Sequence, residues 1–249
     1  MKPSRFAFVS EDKSTGSRRL TSIQQNMWEG LKLCDALSYQ GVFLGPSGIG
    51  KSHCVAQYAK GQEDILVFRL GVVQKKPKHL LTMIAERLRS NCGYWDRPQD
   101  VLESIIRRLR LHWQFLILDE AHLLASWECW EVLRQIHDEA EVPIAYVGQP
   151  RLYETMRSKG LVYDQLLGRL PIRKVFKGTV SLEDCKIVAE ALHPGLDRKA
   201  LNFLHKKAQA DGKFRQIKYL LGVCQEVAGR EGMSIDYTLL CRVAKGLGL

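Results

Sequence analysis

Short apolar runs alternate with longer amphipathic segments over the first 178 residues of the chain. Four runs have the length and composition of buried parallel strands: 41–44, 65–68, 115–118 and 143–147. The segment 172–176 is a candidate fifth strand. Apolar residues recur at helical spacing in the stretches between them, at 21–34, 53–60, 80–88, 100–111 and 122–138. This alternation predicts an α/β fold, a parallel sheet flanked by helices.

Helical segments alone follow residue 178. Capping or turn residues mark four helix starts, at Ser181, Asp197, Gly212 and Ser234. We therefore predict three parts: a flexible basic arm at 1–20, an α/β core at 21–178 and a small helical subdomain at 179–249. The arm either touches nucleic acid or a neighbouring subunit, or it is a solvated tail, which is the commoner outcome for such segments.

The chain is basic, with a net charge of +10, and the excess is concentrated in its last third, where 15 basic and 8 acidic residues follow position 168. This balance favours a polyanionic partner without naming it, because many basic proteins bind no nucleic acid. No apolar run approaches the roughly 20 residues of a membrane span, and residues 1–5 contain no apolar stretch. The seven cysteines are scattered singly, which predicts reduced thiols. We expect a cytoplasmic protein.

The strongest chemical signal is a phosphate-binding loop directly after the first predicted strand. Its residues are Gly45, Pro46, Ser47, Gly48, Ile49, Gly50, Lys51 and Ser52, and they lie between a strand and a helix as such loops do. The glycines allow backbone N–H groups to surround a β-phosphate, Lys51 suits the β- and γ-phosphates, and the Ser52 hydroxyl suits Mg²⁺. The pattern predicts a nucleotide site.

Two carboxylates end the strand at 115–118. Asp119 is predicted to hold Mg²⁺, directly or through water, and Glu120 to orient and deprotonate an attacking water. The alternative is that both acids simply favour the start of a helix at Ala121. His122 is predicted to lie at the protein surface or beside the site. Gln149, at the tip of the next strand, is either a sensor of the γ-phosphate or an ordinary turn residue.

Three basic residues lie on loops at the ends of predicted elements, a usual location for binding residues: Lys75, Lys76 and Arg97. A solvated surface explains them equally well from the pattern alone.

Several strings together resemble AAA+ ATPases over roughly residues 21–230: the phosphate loop, FLILDEAHLL at 115–124, PIAYVGQPRLYE at 143–154, LLGRLP at 166–171 and GKFRQI at 212–217. The resemblance is greatest to the MuB, TnsC and ExeA-type branch. It implies an AAA+ P-loop core at 21–178 followed by a helical lid, with ATP and Mg²⁺ as cofactors. It also implies that residues 45–52 are the Walker A motif.

The same resemblance assigns further roles. Asp119 becomes the Walker B aspartate, Glu120 the catalytic glutamate and Gln149 sensor 1. Arg169 becomes an arginine finger that acts on a neighbouring subunit, with Arg151, Arg157 and Arg173 as competing candidates, and Arg215 becomes sensor 2. Because a finger acts in trans, activity is expected to depend on assembly.

Members of that branch assemble with ATP into helical filaments or rings around duplex DNA and assist DDE transposases. Lys75, Lys76 and Arg97 match their DNA-facing loops in position. The resemblance thus implies a homo-oligomer that binds double-stranded DNA with little sequence preference, in a bacterial cytoplasm, with a DDE transposase as partner. An ExeA-like ATPase acting on protein assemblies and a replication initiator or helicase loader are the alternatives.

Overall fold

The computed structural model describes residues 19–73, 76–90, 92, 96–124, 126–158, 168–210 and 212–248, with the backbone only at 155–158. Nearly all of the predicted basic arm, as well as Lys75, lies outside the described residues.

Five parallel strands form one sheet: β1 (Gln40–Leu44), β2 (Ile65–Arg69), β3 (Phe115–Asp119), β4 (Ile144–Gly148) and β5 (Ile172–Val175). The order across the sheet is β2-β3-β4-β1-β5. Strands β1, β3 and β4 are buried along their whole length, since helices cover a parallel sheet on its faces. All five strand predictions are confirmed.

Six helices accompany these strands: α1 (Ser22–Leu37), α2 (Lys51–Tyr58), α3 (Pro77–Arg87), α4 (Pro98–Leu111), α5 (Trp127–Ala140) and α6 (Arg151–Ser158). The predicted start of a helix at His122 is wrong. Ala121–Leu123 forms a single 3-10 turn, and α5 begins five residues later because the Ser126 hydroxyl accepts a hydrogen bond from the Cys129 N–H and caps it.

Four helices follow β5: α7 (Leu182–Leu192), α8 (Arg198–Ala208), α9 (Phe214–Glu231) and α10 (Tyr237–Gly246). The predicted caps at Ser181 and Asp197 are confirmed, because their side chains accept the backbone N–H groups of Asp184 and Ala200. The fourth start is wrong by two residues: Asp236, and not Ser234, caps α10 by accepting from the Leu239 N–H. The longest described helix, α9, has 18 residues, and none of the described helices is long and apolar enough to cross a membrane.

The described residues divide into two compact units, each with its own apolar core. The first comprises residues 26–44 and 52–175 and contains the whole sheet. The second comprises residues 19–25, Gly45–Lys51 and 176–248. Residues 45–51 of the phosphate loop therefore belong to the same unit as the C-terminal helices, whereas Ser52 belongs to the first unit, and Ile49 is buried in the core of the C-terminal helices.

Candidate nucleotide site

The phosphate loop has the backbone of an anion cradle. Gly48 and Gly50 adopt positive φ angles of 84° and 91° on either side of Ile49. Such alternation turns successive N–H groups toward one point, and glycine adopts it without steric cost. The buried Lys51 side chain folds back over the loop, where its Nζ donates to the carbonyls of Gly45 at 2.7 Å and Pro46 at 2.8 Å.

A corner at the start of α9 lies against this loop within the second unit. The Phe214 N–H donates to the Gly48 carbonyl at 3.0 Å, and a guanidinium nitrogen of Arg215 lies 3.2 Å from the Ser47 hydroxyl. The two backbones are so close that a Cβ on Gly48 would lie 2.1 Å from the Gly212 carbonyl oxygen. Arg215, predicted from its motif to reach the nucleotide, is thus held at the phosphate loop by neighbouring backbone contacts.

Lys213 has an unusual backbone at this corner, with φ 49° and ψ −123°. A non-glycine residue rarely adopts this conformation, and such strain persists only where surrounding contacts hold it. Its ammonium donates to the Gln209 carbonyl at 2.9 Å. The backbone contact between this corner and the phosphate loop was not predicted from the sequence. Gly212 in the GKFRQI string was a signal for it, since glycine often marks a close approach of two backbones.

The carboxylates of the predicted site lie at one edge of the sheet in the first unit. Leu44 at the end of β1 pairs with Gly148 of β4, and Asp119 at the end of β3 pairs with Val147. Because parallel strands end at a common edge, Asp119 is held near the tip of β4 and Gln149 follows that tip directly. Asp119 is buried, and its Oδ1 accepts the Glu120 N–H at 3.0 Å.

Glu120 adopts a left-handed conformation, with φ 60° and ψ 33°. For a non-glycine residue this conformation costs on the order of 1–3 kcal/mol and is common at functional sites. Its side chain is 32% exposed, while that of the adjacent His122 is only 4% exposed. The surface location considered for His122 is therefore wrong, and the residue lies beside Glu120.

Gln149 lies half-buried at the junction of β4 and α6. Its carbonyl accepts the Leu152 N–H at 3.0 Å, which starts the helix. The backbone of Gln149 thus acts as a turn at the sheet edge that carries Asp119. The proposed sensing role of the side chain stays a prediction.

Arg169 forms an ion pair with Asp138 of α5, with 2.8 Å between the guanidinium and the carboxylate, and its side chain is 53% exposed. Arg134 shares the same carboxylate. Among the competing candidates, Arg173 instead donates to the Leu170 carbonyl at 2.8 Å and is exposed. Arg151 is exposed at the start of α6, and the side chain of Arg157 lies outside the described residues.

Two of the three predicted DNA-contacting residues, Lys76 and Arg97, lie at helix starts. Lys76 is exposed directly before α3, and Arg97 directly before α4. The Arg97 side chain is 84% exposed. Its Nε donates to the Asp100 Oδ2 at 2.8 Å, and its Nη2 donates to the Asp100 Oδ1 at 3.1 Å. This pairing raises the pKa of Arg97 and offsets part of its charge.

The residues present suit ATP and Mg²⁺. The loop combines two left-handed glycines with the buried ammonium of Lys51, which is a donor set for phosphate. Ser52 and Asp119 provide a hydroxyl and a carboxylate, and Mg²⁺ prefers such oxygen ligands together with phosphate oxygens.

Comparisons with known proteins agree with this description. Residues 38–156 match the family described as AAA domain, whereas no curated protein matches the sequence. The solved ORC2 protein of Aeropyrum pernix, in ADPNP and ADP complexes, is similar with a TM-score of 0.63 and 16% identity, over 90% of this chain and 66% of that one. The ORC1 protein of the same organism, in complex with DNA, gives 0.65 and 16%, over 92% and 66%.

A replication initiator also shares the fold. Domain III of DnaA from Thermotoga maritima is similar with a TM-score of 0.61 and 13% identity, over 91% of this chain and 93% of that one. The present chain spans only 66% of the length of the Aeropyrum proteins just described. At these identities the likeness concerns the fold, and the narrower resemblance to MuB, TnsC and ExeA-type proteins stays a prediction. Residues 38–156 are therefore similar to an AAA domain, and the chain has the AAA+ P-loop fold, a parallel sheet flanked by helices and followed by C-terminal helices.

Proposed function

We propose that this protein is a Mg²⁺-dependent ATPase whose activity depends on self-assembly and which binds double-stranded DNA. The observation that carries the ATPase proposal is the phosphate loop, with glycines at positive φ, the Lys51 ammonium lying over it and Arg215 held 3.2 Å from the Ser47 hydroxyl. A basic side chain held at a phosphate-binding loop is expected to pair with the phosphate groups of a bound nucleotide.

Each residue of the site has a distinct task in this proposal. The loop N–H groups and Lys51 bind the phosphates, Ser52 and Asp119 hold the magnesium ion, and Glu120 accepts the proton of the attacking water. Gln149 orients that water from the tip of β4. Bound ATP supplies the phosphoryl group and Mg²⁺ neutralises its charge, so the protein contributes positioning and electrostatic stabilisation.

Two substitutions separate binding from hydrolysis. Lys51→Ala is expected to lose ATP binding, whereas Glu120→Gln is expected to bind ATP and fail to hydrolyse it. Lys60→Ala removes the same charge at an exposed position nine residues away and serves as the control. Titration with a fluorescent ATP analogue measures binding, and phosphate release measures turnover. ATP binding by Lys51→Ala equal to that of the control would contradict the proposed site.

Arg169 is proposed to complete the site of a neighbouring subunit. It is half exposed, and its ion pair with Asp138 is a surface pair that costs little to break, about 0–1 kcal/mol. Arg169→Ala should therefore lose turnover while retaining ATP binding. Arg134→Ala removes the other partner of Asp138 and is the matched control, which is expected to keep turnover.

Mixing two inactive variants tests the action in trans. In a mixture of Arg169→Ala and Glu120→Gln, some subunits combine an intact Glu120 with an intact Arg169 of the neighbour. Turnover of the mixture should then exceed that of either variant alone. A mixture as inactive as its components would refute a finger acting between subunits.

The proposed DNA partner rests on the net charge of +10, on the position of the basic loop residues and on the sequence resemblance. The finer proposal is that ATP-bound subunits assemble on duplex DNA as a filament or ring and assist a DDE transposase. Lys75 and Lys76 contact the phosphate backbone, so binding should fall with salt and depend little on sequence. Arg97 contributes less, because Asp100 already pairs with it.

A replication initiator or helicase loader is the second candidate, favoured by the fold likeness to ORC1 solved with DNA and to DnaA domain III. An ExeA-like ATPase acting on protein assemblies is a third. Binding to duplex and single-stranded DNA with ATP, with ADP and without nucleotide distinguishes them. ATP-dependent duplex binding supports the first candidate, a preference for single strands the second, and no DNA binding the third.

The contribution of the loop is tested by Lys75→Ala/Lys76→Ala. The control Lys32→Ala/Lys60→Ala removes the same charge at other exposed positions. We expect the first double variant to lose most duplex affinity and the second to change it little. Equal loss in both would show that net charge alone, and not this loop, governs binding.

A further inference from the structure

We infer that His122 is a positioning residue for hydrolysis: its imidazole holds the Glu120 carboxylate in the orientation needed at the tip of β4. The inference rests on the proposed ATPase function, because it assigns a second residue to the task of Glu120. It is carried by three features of the first unit: the left-handed backbone at Glu120, the distance between the two side chains and the close packing of the 3-10 turn on Gly148.

The left-handed backbone of Glu120 brings His122 back toward the glutamate side chain. The chain turns sharply after β3, and Ala121–Leu123 then forms one 3-10 turn. In a continuous α-helix, residues two apart point in different directions and do not face each other. Here the His122 Nδ1 lies 3.3 Å from the Glu120 Oε2, within ion-pair distance but outside hydrogen-bond geometry. The contact thus depends on the break in helical structure that sequence periodicity did not predict.

The environment fixes the ring more firmly than the carboxylate. The His122 side chain is 4% exposed, whereas that of Glu120 is 32% exposed. A polar contact from a confined ring restricts a side chain that would otherwise sample several rotamers in solvent. The asymmetry indicates that His122 orients Glu120, and not the reverse.

Packing on β4 confines the turn that carries His122. A Cβ on Gly148 would lie 3.1 Å from the His122 backbone nitrogen and 3.5 Å from its Nδ1. Gly148 directly precedes Gln149, so the same turn contacts the strand end that carries the proposed sensor. The backbone of β4, the imidazole and the Glu120 carboxylate therefore form one continuous set of contacts.

A histidine that served packing alone would also be buried, but its polar atoms would not affect turnover. The two possibilities differ in which atoms matter. Asparagine places a polar nitrogen near the position of Nδ1, whereas leucine fills a similar volume with no polar atom. His122→Asn and His122→Leu therefore separate the polar contact from packing.

His137 is a matched control within the same unit. Its Nδ1 lies 2.8 Å from the Val142 carbonyl oxygen, a contact with backbone near the end of α5 and not with a site residue. His137→Leu removes a polar contact of the same ring atom. We expect it to lower the melting temperature without lowering turnover of the folded protein.

The experiment measures kcat, KM, affinity for a fluorescent ATP analogue and melting temperature for wild type and these three variants. Loss of a group that orients a metal ligand typically costs about 10- to 100-fold in activity, and we expect a loss of similar size here. His122→Leu should lose kcat by that factor with ATP affinity changed less than about twofold, and His122→Asn should recover most of it.

The outcomes distinguish this inference from the proposed function. If Glu120→Gln hydrolyses ATP as fast as wild type, the assigned role of Glu120 fails and the inference fails with it. If Glu120→Gln is inactive but His122→Leu keeps wild-type kcat, the inference alone is overturned. It is also overturned if His122→Asn loses as much kcat as His122→Leu, or if ATP affinity falls in parallel with kcat.

Discussion

The contact between Gly48 and the Gly212 carbonyl provides a sharp test of how the phosphate loop is held. Gly48 has φ +84°, and a Cβ there would lie 2.1 Å from the Gly212 oxygen and 2.7 Å from its carbonyl carbon. Alanine in a left-handed conformation costs about 1–2 kcal/mol. Overlap with a fixed backbone adds a further cost, typically about 1–3 kcal/mol. Movement of the loop to relieve it would break the hydrogen bond between the Phe214 N–H and the Gly48 carbonyl.

Gly195 offers a matched control in the same unit. Its φ is +88°, and a Cβ there would have no heavy atom within 4 Å. Gly195→Ala therefore carries the backbone cost without the overlap. In urea unfolding, we expect Gly48→Ala to lose about 1–3 kcal/mol more than Gly195→Ala. Because the loop is the proposed phosphate site, only Gly48→Ala should also weaken binding of a fluorescent ATP analogue.

Two results would refute this reasoning. Equal losses of unfolding free energy in the two variants would mean that the Gly212 corner yields to the added methyl group. Unchanged ATP affinity in a destabilised Gly48→Ala would mean that loop geometry and nucleotide binding are independent.

Two further predictions concern stability and thiol chemistry. Asp184 is buried and accepts hydrogen bonds from both the backbone N–H and the hydroxyl of Ser22, at 2.7 and 2.6 Å. Asp184→Asn should therefore lower the free energy of unfolding by about 1.5–3 kcal/mol. The control Glu183→Gln, at the exposed neighbouring position, should change the free energy of unfolding by less than about 0.5 kcal/mol. Burial and the nearby Asp35 charge raise the pKa of Cys34 to about 12. Since only the thiolate is nucleophilic, Cys34 should stay unlabelled by a thiol reagent at pH 8 in the native protein, and its rapid labelling would contradict the fold.

Local patterns were sufficient for the five strands and for most helices, but they did not predict α6 and misplaced two helix starts. Each strand of the parallel sheet is a contiguous apolar run, because both faces are covered, and the caps at Ser181 and Asp197 act through hydrogen bonds three residues away. The start at His122 was wrong because apolar spacing continues through a segment whose backbone turns, and the start at Ser234 was wrong because a second capping residue, Asp236, lies two positions later. Each helix instead begins after the residue that caps it, Ser126 for α5 and Asp236 for α10.

The α/β fold and the phosphate loop could be predicted from residue order, since they depend on the spacing of neighbouring residue types. Which distant groups meet depends on how the chain folds. Ser22 bonds to Asp184 across 162 residues, Arg215 reaches Ser47 across 168, and Gly212 touches Gly48. The His122 contact with Glu120 is short in sequence but requires the left-handed turn that packing on Gly148 holds. Periodicity reports which face of an element is buried and carries no information about which partner it meets there, so these contacts had to come from the folded chain.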